Sequence, residues 1–319
     1  MDDEKKAHSE LGLPNPYLNS LDGDFLYHLG YSSLEARNGF TKDGVSHSFQ
    51  DVKFVVMGGS SGRMRSFAEV IAREINHPVQ TAEQLDIHRT DRYAFYKIGP
   101  VLSVSHGMGV PSITILLHEI TKLLSYAGAK DAVLIRIGTS GGIGVPPGTV
   151  VITDKTFNGF LKEEHELVVL GERKVRPAVI DQELARAIQS SQSDARFQTV
   201  LGGTMCTDDF FEGQPLNLTP IDCNISQGRV DGAVCEHSDE QKMDFLRRAH
   251  SCGVVNIEME CTAMSSLCRL TGYKCAAVCV ALLDRLKGDQ VKIQEEEYKS
   301  FGMRPQSLVA SFIKSRLSS

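Results

Sequence analysis

The sequence lacks the features that identify several large classes of protein. Its eight cysteines all lie from Cys206 onward, and none forms a Cys-x-x-Cys pair or has zinc-finger spacing to a histidine. No apolar run approaches the ~20 residues of a membrane helix. No apolar core follows the charged residues 1–6, so we expect no signal peptide. Together these absences predict a cytoplasmic protein with free thiols and no membrane contact.

Basic residues are not in excess either. The chain has 34 Lys+Arg against 40 Asp+Glu, and its net charge of −6 argues against a nucleic-acid partner. A small anionic substrate is compatible with this balance, because a few arginines in one pocket are enough to hold a phosphate. With 319 residues, 41% hydrophobic and 23% charged, the chain has an ordinary globular composition.

Apolar runs alternate with helical spacings along the chain, which predicts an α/β fold. Residues 52–57 form a strand pattern that stops at Gly58, and Met64, Phe67 and Ile71 follow at helical spacing. Residues 1–50 are predicted as a polar extension with one short apolar segment at 25–29. Further strands are expected at 93–98, 101–105, 132–137, 148–153, 197–205 and 275–283, and a short strand is expected to end at Met259. Helices are expected at 111–126, 181–191 and 238–252, and two more are expected to begin at about 261 and 304.

A glycine cluster lies between the first predicted strand and helix. Gly58, Gly59 and Gly62 stand around Ser60 and Ser61, directly before Arg63. Backbone N–H groups at a helix N-terminus hold anions, and arginine adds a permanently charged donor. The cluster is neither a Walker motif nor a dinucleotide-binding fingerprint, so by itself it predicts either an anion site or only a turn.

A second cluster carries a stronger signal. Arg136 lies inside an otherwise apolar run, where an unpaired guanidinium would cost several kcal/mol. It therefore needs a carboxylate or an anionic ligand as partner. A glycine-rich turn over 138–144, with Thr139 and Ser140, is predicted to follow it and is suited to phosphate.

Two other segments suggest a nucleoside. Gln227 and Arg229 are two residues apart, so an amide and a guanidinium face one side of an extended segment and can bind a planar base edge; a solvated loop is the alternative. Glu258 and Glu260 have the same spacing around Met259. They suit sugar hydroxyls, or else a solvent-facing strand edge.

Taken together, these segments closely resemble the uridine phosphorylases of the nucleoside phosphorylase superfamily, in particular the dimeric animal-type enzymes. The resemblance runs from about residue 25 to the C-terminus. It is carried by the stretches LYHLGY, DVKFVVMGGS, TDRYAFYKIGPVLSVSHGMGVPS, IRIGTSGGIGVPPGTVVIT, TMCTDDFFEG, QGRVDGA, NIEMEC and LLDRLKGDQ.

The resemblance implies a single-domain, layered α/β/α fold around a mixed central sheet over 25–319, with 1–24 as a flexible extension. It implies reversible phosphorolysis of uridine to uracil and ribose 1-phosphate, with phosphate as co-substrate, no metal or organic cofactor, and a homodimer with shared sites. Arg229, Gln227 and Arg136 would be catalytic. Phosphate would be held by Gly59, Arg63, Arg92, Arg136 and Thr139, ribose by His28, Met259, Glu260 and Glu258, and the base by Phe210, Gln227 and Arg229. Arg92 and His28 would act across the dimer interface.

One departure from the family pattern affects base recognition. The family's unbroken EGQGR is interrupted here, with an inserted segment at about 214–226. Either Gln214 or Gln227 is then the family's glutamine, and the spacing to Arg229 favours Gln227. The alternative function is a catalytically impaired or substrate-shifted relative. Asp284 is a second, milder departure from the family pattern, because it stands where purine-specific members carry an aspartate that protonates the base.

Overall fold

The structure is a computed structural model that describes residues 12–20, 23–194, 196–211, 233–234, 236–288, 291 and 293–318. Three residues predicted from the sequence, Gln214, Gln227 and Arg229, lie outside the described residues, as does the inserted segment 214–226. Most of the predicted extension 1–24 also lies outside them; in the described part, residues 16–20 form a 3-10 helix.

Strands and helices alternate along the described chain. The strands are β1 Phe25–Leu26, β2 Tyr31–Ser32, β3 Phe40–Lys42, β4 Val45–His47, β5 Phe54–Gly58, β6 Phe95–Ile98, β7 Val101–Ser105, β8 Val133–Gly142, β9 Val150–Phe157, β10 Glu164–Val169, β11 Glu172–Pro177, β12 Thr199–Cys206, β13 Val254–Glu258 and β14 Lys274–Asp284. The helices are α1 Ser33–Asn38, α2 Ser61–Glu74, α3 Ala82–Leu85, α4 Val110–Ala127, α5 Gln182–Ser190, α6 Asp239–Ser251, α7 Cys261–Thr271 and α8 Glu295–Ser318.

An eight-stranded sheet forms the centre of the fold, in the order β13-β12-β9-β14-β8-β5-β7-β6. β5 and β7 are parallel, β6 and β7 antiparallel, β12 is parallel to β9 and β13, and β14 is antiparallel to β9. The predicted α/β fold with a mixed central sheet is confirmed. The chain divides into two compact units, residues 1–136 with 267–275 and residues 137–266 with 276–319.

In the first unit, α2 follows β5 as the glycine cluster predicts. The Ser60 hydroxyl accepts the Arg63 backbone N–H at 3.2 Å and caps the helix. Met64, Phe67 and Ile71 are buried on one side of the helix, which packs on β5, β6 and β7. Gly58 pairs with Ser105 in the parallel register, so the carboxyl ends of β5 and β7 lie side by side.

The segment 25–47 differs from the polar extension that the sequence predicts for residues 1–50. It forms the two short antiparallel pairs β1–β2 and β3–β4 on either side of α1. Ser32 and Glu35 form a reciprocal capping box at the start of α1. Tyr31 is fully buried, with the rings of Phe40 and Phe49 at 4.9 and 5.3 Å. Strands of two or three residues are too short to give a detectable period.

In the second unit, the prediction of a glycine-rich turn at 138–144 is wrong for residues 138–142, because strand β8 continues through Gly142. These glycines are required by close packing. A Cβ at Gly142 would lie 2.6 Å from the Leu283 carbonyl oxygen, and one at Gly141 would collide with Nε of Arg285. A glycine inside a strand often marks such a close approach.

Two further elements of the second unit differ from expectation. The hairpin β10–β11 is an additional antiparallel pair between β9 and α5. The final helix, predicted from residue 304, begins at Glu295 and contains Pro305. Its first turn carries three exposed glutamates and no apolar stripe, so periodicity underestimates its length. Among the described residues, no helix combines the length and the apolar character needed to span a membrane.

Candidate functional site

In the first unit, Gly59 and Arg63 lie at the carboxyl ends of β5 and β7. A Cβ at Gly59 would stand 2.9 Å from the Gly107 carbonyl oxygen and 4.0 Å from Nη1 of Arg63. In open α/β sheets, ligands bind at the carboxyl ends of the strands. Gly59 therefore lets the backbone at Gly107 and the side chain of Arg63 approach closely at this end of the sheet.

Arg92 borders the same turn. Its Nη2 donates to the Ser112 hydroxyl at 2.9 Å, and its guanidinium carbon lies 4.9 Å from the Tyr93 ring centroid. A Cβ at Gly107 would lie 3.7 Å from its Nη1. The sequence alone suggests no anchor for Arg92, whereas the structure holds this exposed arginine in a defined position.

His28 is fixed by a carboxylate that the sequence analysis did not single out. Glu119 Oε1 accepts the His28 backbone N–H at 2.9 Å and lies 2.7 Å from ring Nδ1. Its Oε2 accepts the Leu29 backbone N–H at 2.8 Å. The Tyr93 ring centroid is 6.5 Å from that of His28. Burial raises the pKa of Tyr93 to about 12, with the Arg92 charge opposing the shift and Glu119 adding to it.

Arg136 and Thr139 both lie on β8. Arg136 is 5% exposed, as expected for an arginine inside an apolar strand, and it belongs to the first unit. Thr139 is half-buried and belongs to the second unit.

In the second unit, Glu258 binds backbone. Its Oε2 accepts the Glu260 N–H and its Oε1 accepts the Cys261 N–H, both at 2.9 Å. Glu258 therefore caps the start of α7 and fixes Glu260, which is 2% exposed. Met259, between them, is half-buried.

A chain of buried polar side chains links the strands of the second unit near these residues. The Asn256 amide donates to the Ser140 hydroxyl at 3.0 Å and accepts from the Thr204 hydroxyl at 2.7 Å. Thr204 also lies 2.7 Å from the Thr153 hydroxyl. Buried polar groups that are all paired specify one arrangement of strands. An asparagine within the apolar run of β13 was the available sequence signal.

Phe210 packs edge-on against Phe211, with ring centroids 5.2 Å apart, and both rings are exposed. Nearby along the chain, Cys206 is buried, and burial, assisted by the Glu258 charge, raises the pKa of its thiol. Cys206 is therefore a structural thiol, in agreement with the expected free cysteines.

Asp284 also binds backbone in the second unit. Its Oδ1 accepts the Gly144 N–H at 2.8 Å and the Leu286 N–H at 3.2 Å, and Lys287 Nζ lies 3.5 Å from Oδ2. The adjacent Arg285 is buried against Gly141. Sequence reasoning assigned Arg285 no role, although an arginine directly after a buried strand was visible in the LLDRLKGDQ stretch.

The chain matches a known family of proteins. Residues 53–314 match the sequence family described as the phosphorylase superfamily, and the chain belongs to that family. It is 45% identical over 305 residues to "Uridine phosphorylase 2" of Mus musculus, covering 95% of this chain and 89% of the relative.

Solved structures agree with this assignment. A structure from an analysis of two uridine phosphorylases in the oomycete Phytophthora capsici has a TM-score of 0.85 and 40% identity, covering 97% of this chain and 99% of the other. Uridine phosphorylase from Schistosoma mansoni in complex with thymidine has a TM-score of 0.83 and 38% identity, covering 96% and 98%.

Proposed function

We propose that the protein is a uridine phosphorylase, which converts uridine and phosphate reversibly to uracil and ribose 1-phosphate. The observation that carries this proposal is the 45% identity to a uridine phosphorylase over 95% of the chain. The arrangement of the first unit supports it independently, because Gly59, Arg63 and Arg92 surround one glycine turn at the carboxyl ends of two parallel strands.

Phosphate is bound, in this proposal, by Gly59, Arg63, Arg92, Arg136 and Thr139. Phosphate is already an anion and needs no base to activate it; positioning close to C1′ of the ribose is sufficient. Guanidinium groups suit this task because their forked donors match phosphate oxygens. The proposed reaction requires phosphate as co-substrate and no metal or organic cofactor.

The ribose is held by Met259 and Glu260 from the same chain and by His28 from a second copy. The Glu260 carboxylate accepts hydrogen bonds from sugar hydroxyls, and Met259 packs on the ring. Glu258 acts here by fixing the Glu260 backbone, in keeping with its two hydrogen bonds.

The base is recognised by Gln227, Arg229 and Phe210. As phosphate attacks C1′, the bond to the base breaks and negative charge develops on the leaving uracil. Arg229 and Gln227 stabilise that charge electrostatically. A hydrogen bond to a charged group is worth roughly 1.5–3 kcal/mol, so Arg229→Ala is expected to slow turnover by about ten- to a hundredfold.

We further propose that the enzyme is a cytoplasmic homodimer. Arg92 and His28 would then complete the neighbouring subunit's site. The surface beside them is suited to a second copy, because Tyr27 next to His28 and Met108 next to Gly107 are exposed large apolar residues.

A nucleoside panel with product analysis tests the proposed function. Uridine should be converted to uracil only in the presence of phosphate, while purine nucleosides remain intact. Thymidine belongs in the panel because a related structure holds it. Faster cleavage of a purine nucleoside than of uridine would overturn the proposal.

Deleting residues 215–227 restores an unbroken EGQGR and tests whether the insertion affects base recognition. Equal uridine turnover in both forms would mean that the insertion is tolerated. Turnover in the deletion variant alone would establish the alternative of an impaired enzyme.

A further inference from the structure

Glu119 and His28 form a contact that the sequence alone does not indicate. The two residues are 91 positions apart, and Glu119 accepts hydrogen bonds from two backbone N–H groups of the segment that carries His28. The same carboxylate also contacts the nearby ring nitrogen of His28. The side chain of Glu119 is 12% exposed, whereas that of His28 is 34% exposed.

The contact with the carboxylate determines which nitrogen of the His28 ring carries the proton. An ionised carboxylate can only accept hydrogen bonds, so Nδ1 of His28 must be the donor to Oε1. In the neutral imidazole the other nitrogen, Nε2, is then an acceptor. The His28 backbone is held at its other end, because the Thr90 hydroxyl donates to the His28 carbonyl at 2.5 Å. The backbone of His28 is thus held on both sides, and Glu119 holds the ring at Nδ1.

We propose that Glu119 is a positioning residue for nucleoside recognition: it holds His28 as the Nδ1–H tautomer and so presents Nε2 as an acceptor to the 5′-hydroxyl of a nucleoside bound by a second copy of the chain. The proposal rests on the proposed function, which places His28 at the ribose. It adds a residue on α4 that selects for nucleosides bearing a free 5′-hydroxyl.

Glu119→Gln separates this role from support of the fold. A glutamine carbonyl in the place of Oε2, which lies 3.0 Å from the His28 N and 2.8 Å from the Leu29 N, can still accept both backbone N–H groups. Its amide nitrogen then places a donor towards Nδ1 and favours the opposite tautomer, with Nε2 protonated. The measurement is kcat/KM for uridine divided by kcat/KM for 5′-deoxyuridine. We expect this ratio to fall about three- to tenfold, through the uridine value alone.

Two controls accompany this variant. Lys122→Gln removes the ion pair between Lys122 and Asp24, on the same helix and next to the same N-terminal segment, without touching His28; it should leave the ratio unchanged. In a His28→Ala background the ratio should already be low, and Glu119→Gln should not lower it further. If Glu119→Gln does not fold, the ring tautomer of His28 in the wild type still tests the proposal.

The ring tautomer gives a readout that does not depend on activity. In 15N-histidine-labelled protein, with the His28 signal identified by its loss in His28→Ala, Nδ1 should be protonated in the wild type and Nε2 in Glu119→Gln. An unchanged ratio, an equal loss with both nucleosides, or an Nε2–H tautomer in the wild type would overturn the inference while leaving the proposed function intact. A folded wild type that cleaves neither nucleoside would overturn the proposed function itself.

Discussion

At the scale of single residues, the candidate phosphate site depends on the space above Gly59. The Gly107 carbonyl lies so close that a Cβ at position 59 would be 2.9 Å from its oxygen. Real Cβ atoms rarely approach a backbone atom this closely, and a backbone segment cannot yield as a flexible side chain does. Gly62, three residues later, has open space at the same position.

Gly59→Ala is therefore expected to weaken phosphate binding. The added methyl displaces the turn at Gly107 and with it the surroundings of Arg63 and Arg92. We expect KM for phosphate to rise about tenfold or more, as a misplacement of about 1 Å can cost a hundredfold. Steady-state kinetics at varied phosphate measures this. Gly62→Ala is the matched control, and an equal effect of both substitutions would contradict the explanation.

The residues that sequence alone could identify are those whose chemistry is unusual for their position. Arg136 stands out because charge interrupts an apolar run, and Gly59 because a glycine cluster separates a strand from a helix. Glu119 could not be identified in this way, because it lies on an ordinary amphipathic helix and its partner is 91 positions distant. Asn256 is intermediate, visible as a polar residue in β13 but with partners that only the folded strands bring together.

At the scale of elements, helix α7 begins at the residues assigned to the ribose. Both carboxylate oxygens of Glu258 hold backbone N–H groups there, and the Glu258 carbonyl accepts the Thr207 N–H at 2.9 Å. The carboxylate that caps α7 therefore also fixes the position of Glu260.

Glu258→Gln should lower both the stability and the activity. Glutamine offers one acceptor oxygen in place of two and turns a donor towards a backbone N–H. We expect the free energy of unfolding to fall by about 1–3 kcal/mol, measured by urea denaturation, and kcat/KM for uridine to fall with it. Glu240→Gln, at an exposed glutamate in the first turn of α6, is the control. Equal stability of the two variants would show that the cap is dispensable.

The hairpin β10–β11 carries a buried histidine. His165 pairs with Arg176 in the hairpin register, and its Nδ1 lies 3.4 Å from the Thr262 hydroxyl. Burial lowers the pKa of His165 below its usual 6.5; the Arg176 charge acts in the same direction, and Asp208 opposes it.

The sign of this pKa shift predicts a loss of stability in mild acid. A histidine with a lowered pKa in the folded state binds its proton more readily when the chain is unfolded. Protonation of His165 therefore leaves the free energy of unfolding unchanged above pH 6.5 and lowers it as the pH falls below 6.5. His165→Gln should remove this part of the pH dependence. When the free energies of unfolding are measured from pH 8 to pH 5, the difference between wild type and variant should be constant above about pH 6.5 and should change only below it. Curves that stay parallel throughout would contradict the prediction.

Which elements could be predicted follows from their length and burial. β7 and α4 agree with the predicted bounds to within a residue because their apolar patterns are long and regular. The hairpin β10–β11 could not be predicted because β10 is mostly half-buried and β11 is mostly exposed, so neither strand has a regular alternation of buried and exposed residues. The continuation of β8 was missed because glycine usually indicates a turn.

At the scale of the whole molecule, the proposed enzyme needs two chains for one site. His28 and Arg92 are fixed in place by contacts within their own chain, to Glu119 and to Ser112 respectively. Such preorganisation suits residues that are presented to a neighbour, since little further ordering is needed on assembly.

Hybrid dimers test this sharing. Arg92→Ala and Glu260→Ala should each be inactive as homodimers. Co-expression with two different tags yields the hybrid, in which one site carries both defects and the other carries neither. We expect about half of the wild-type activity per hybrid dimer. An inactive hybrid would mean that Arg92 acts within its own chain.

Absorbance-monitored cleavage of uridine by the purified protein, with and without phosphate, tests the proposed phosphorolysis itself. We expect loss of uridine and release of uracil and ribose 1-phosphate only when phosphate is present. Cleavage at the same rate without phosphate, or no cleavage by folded, dimeric protein, would show that the protein is not a uridine phosphorylase.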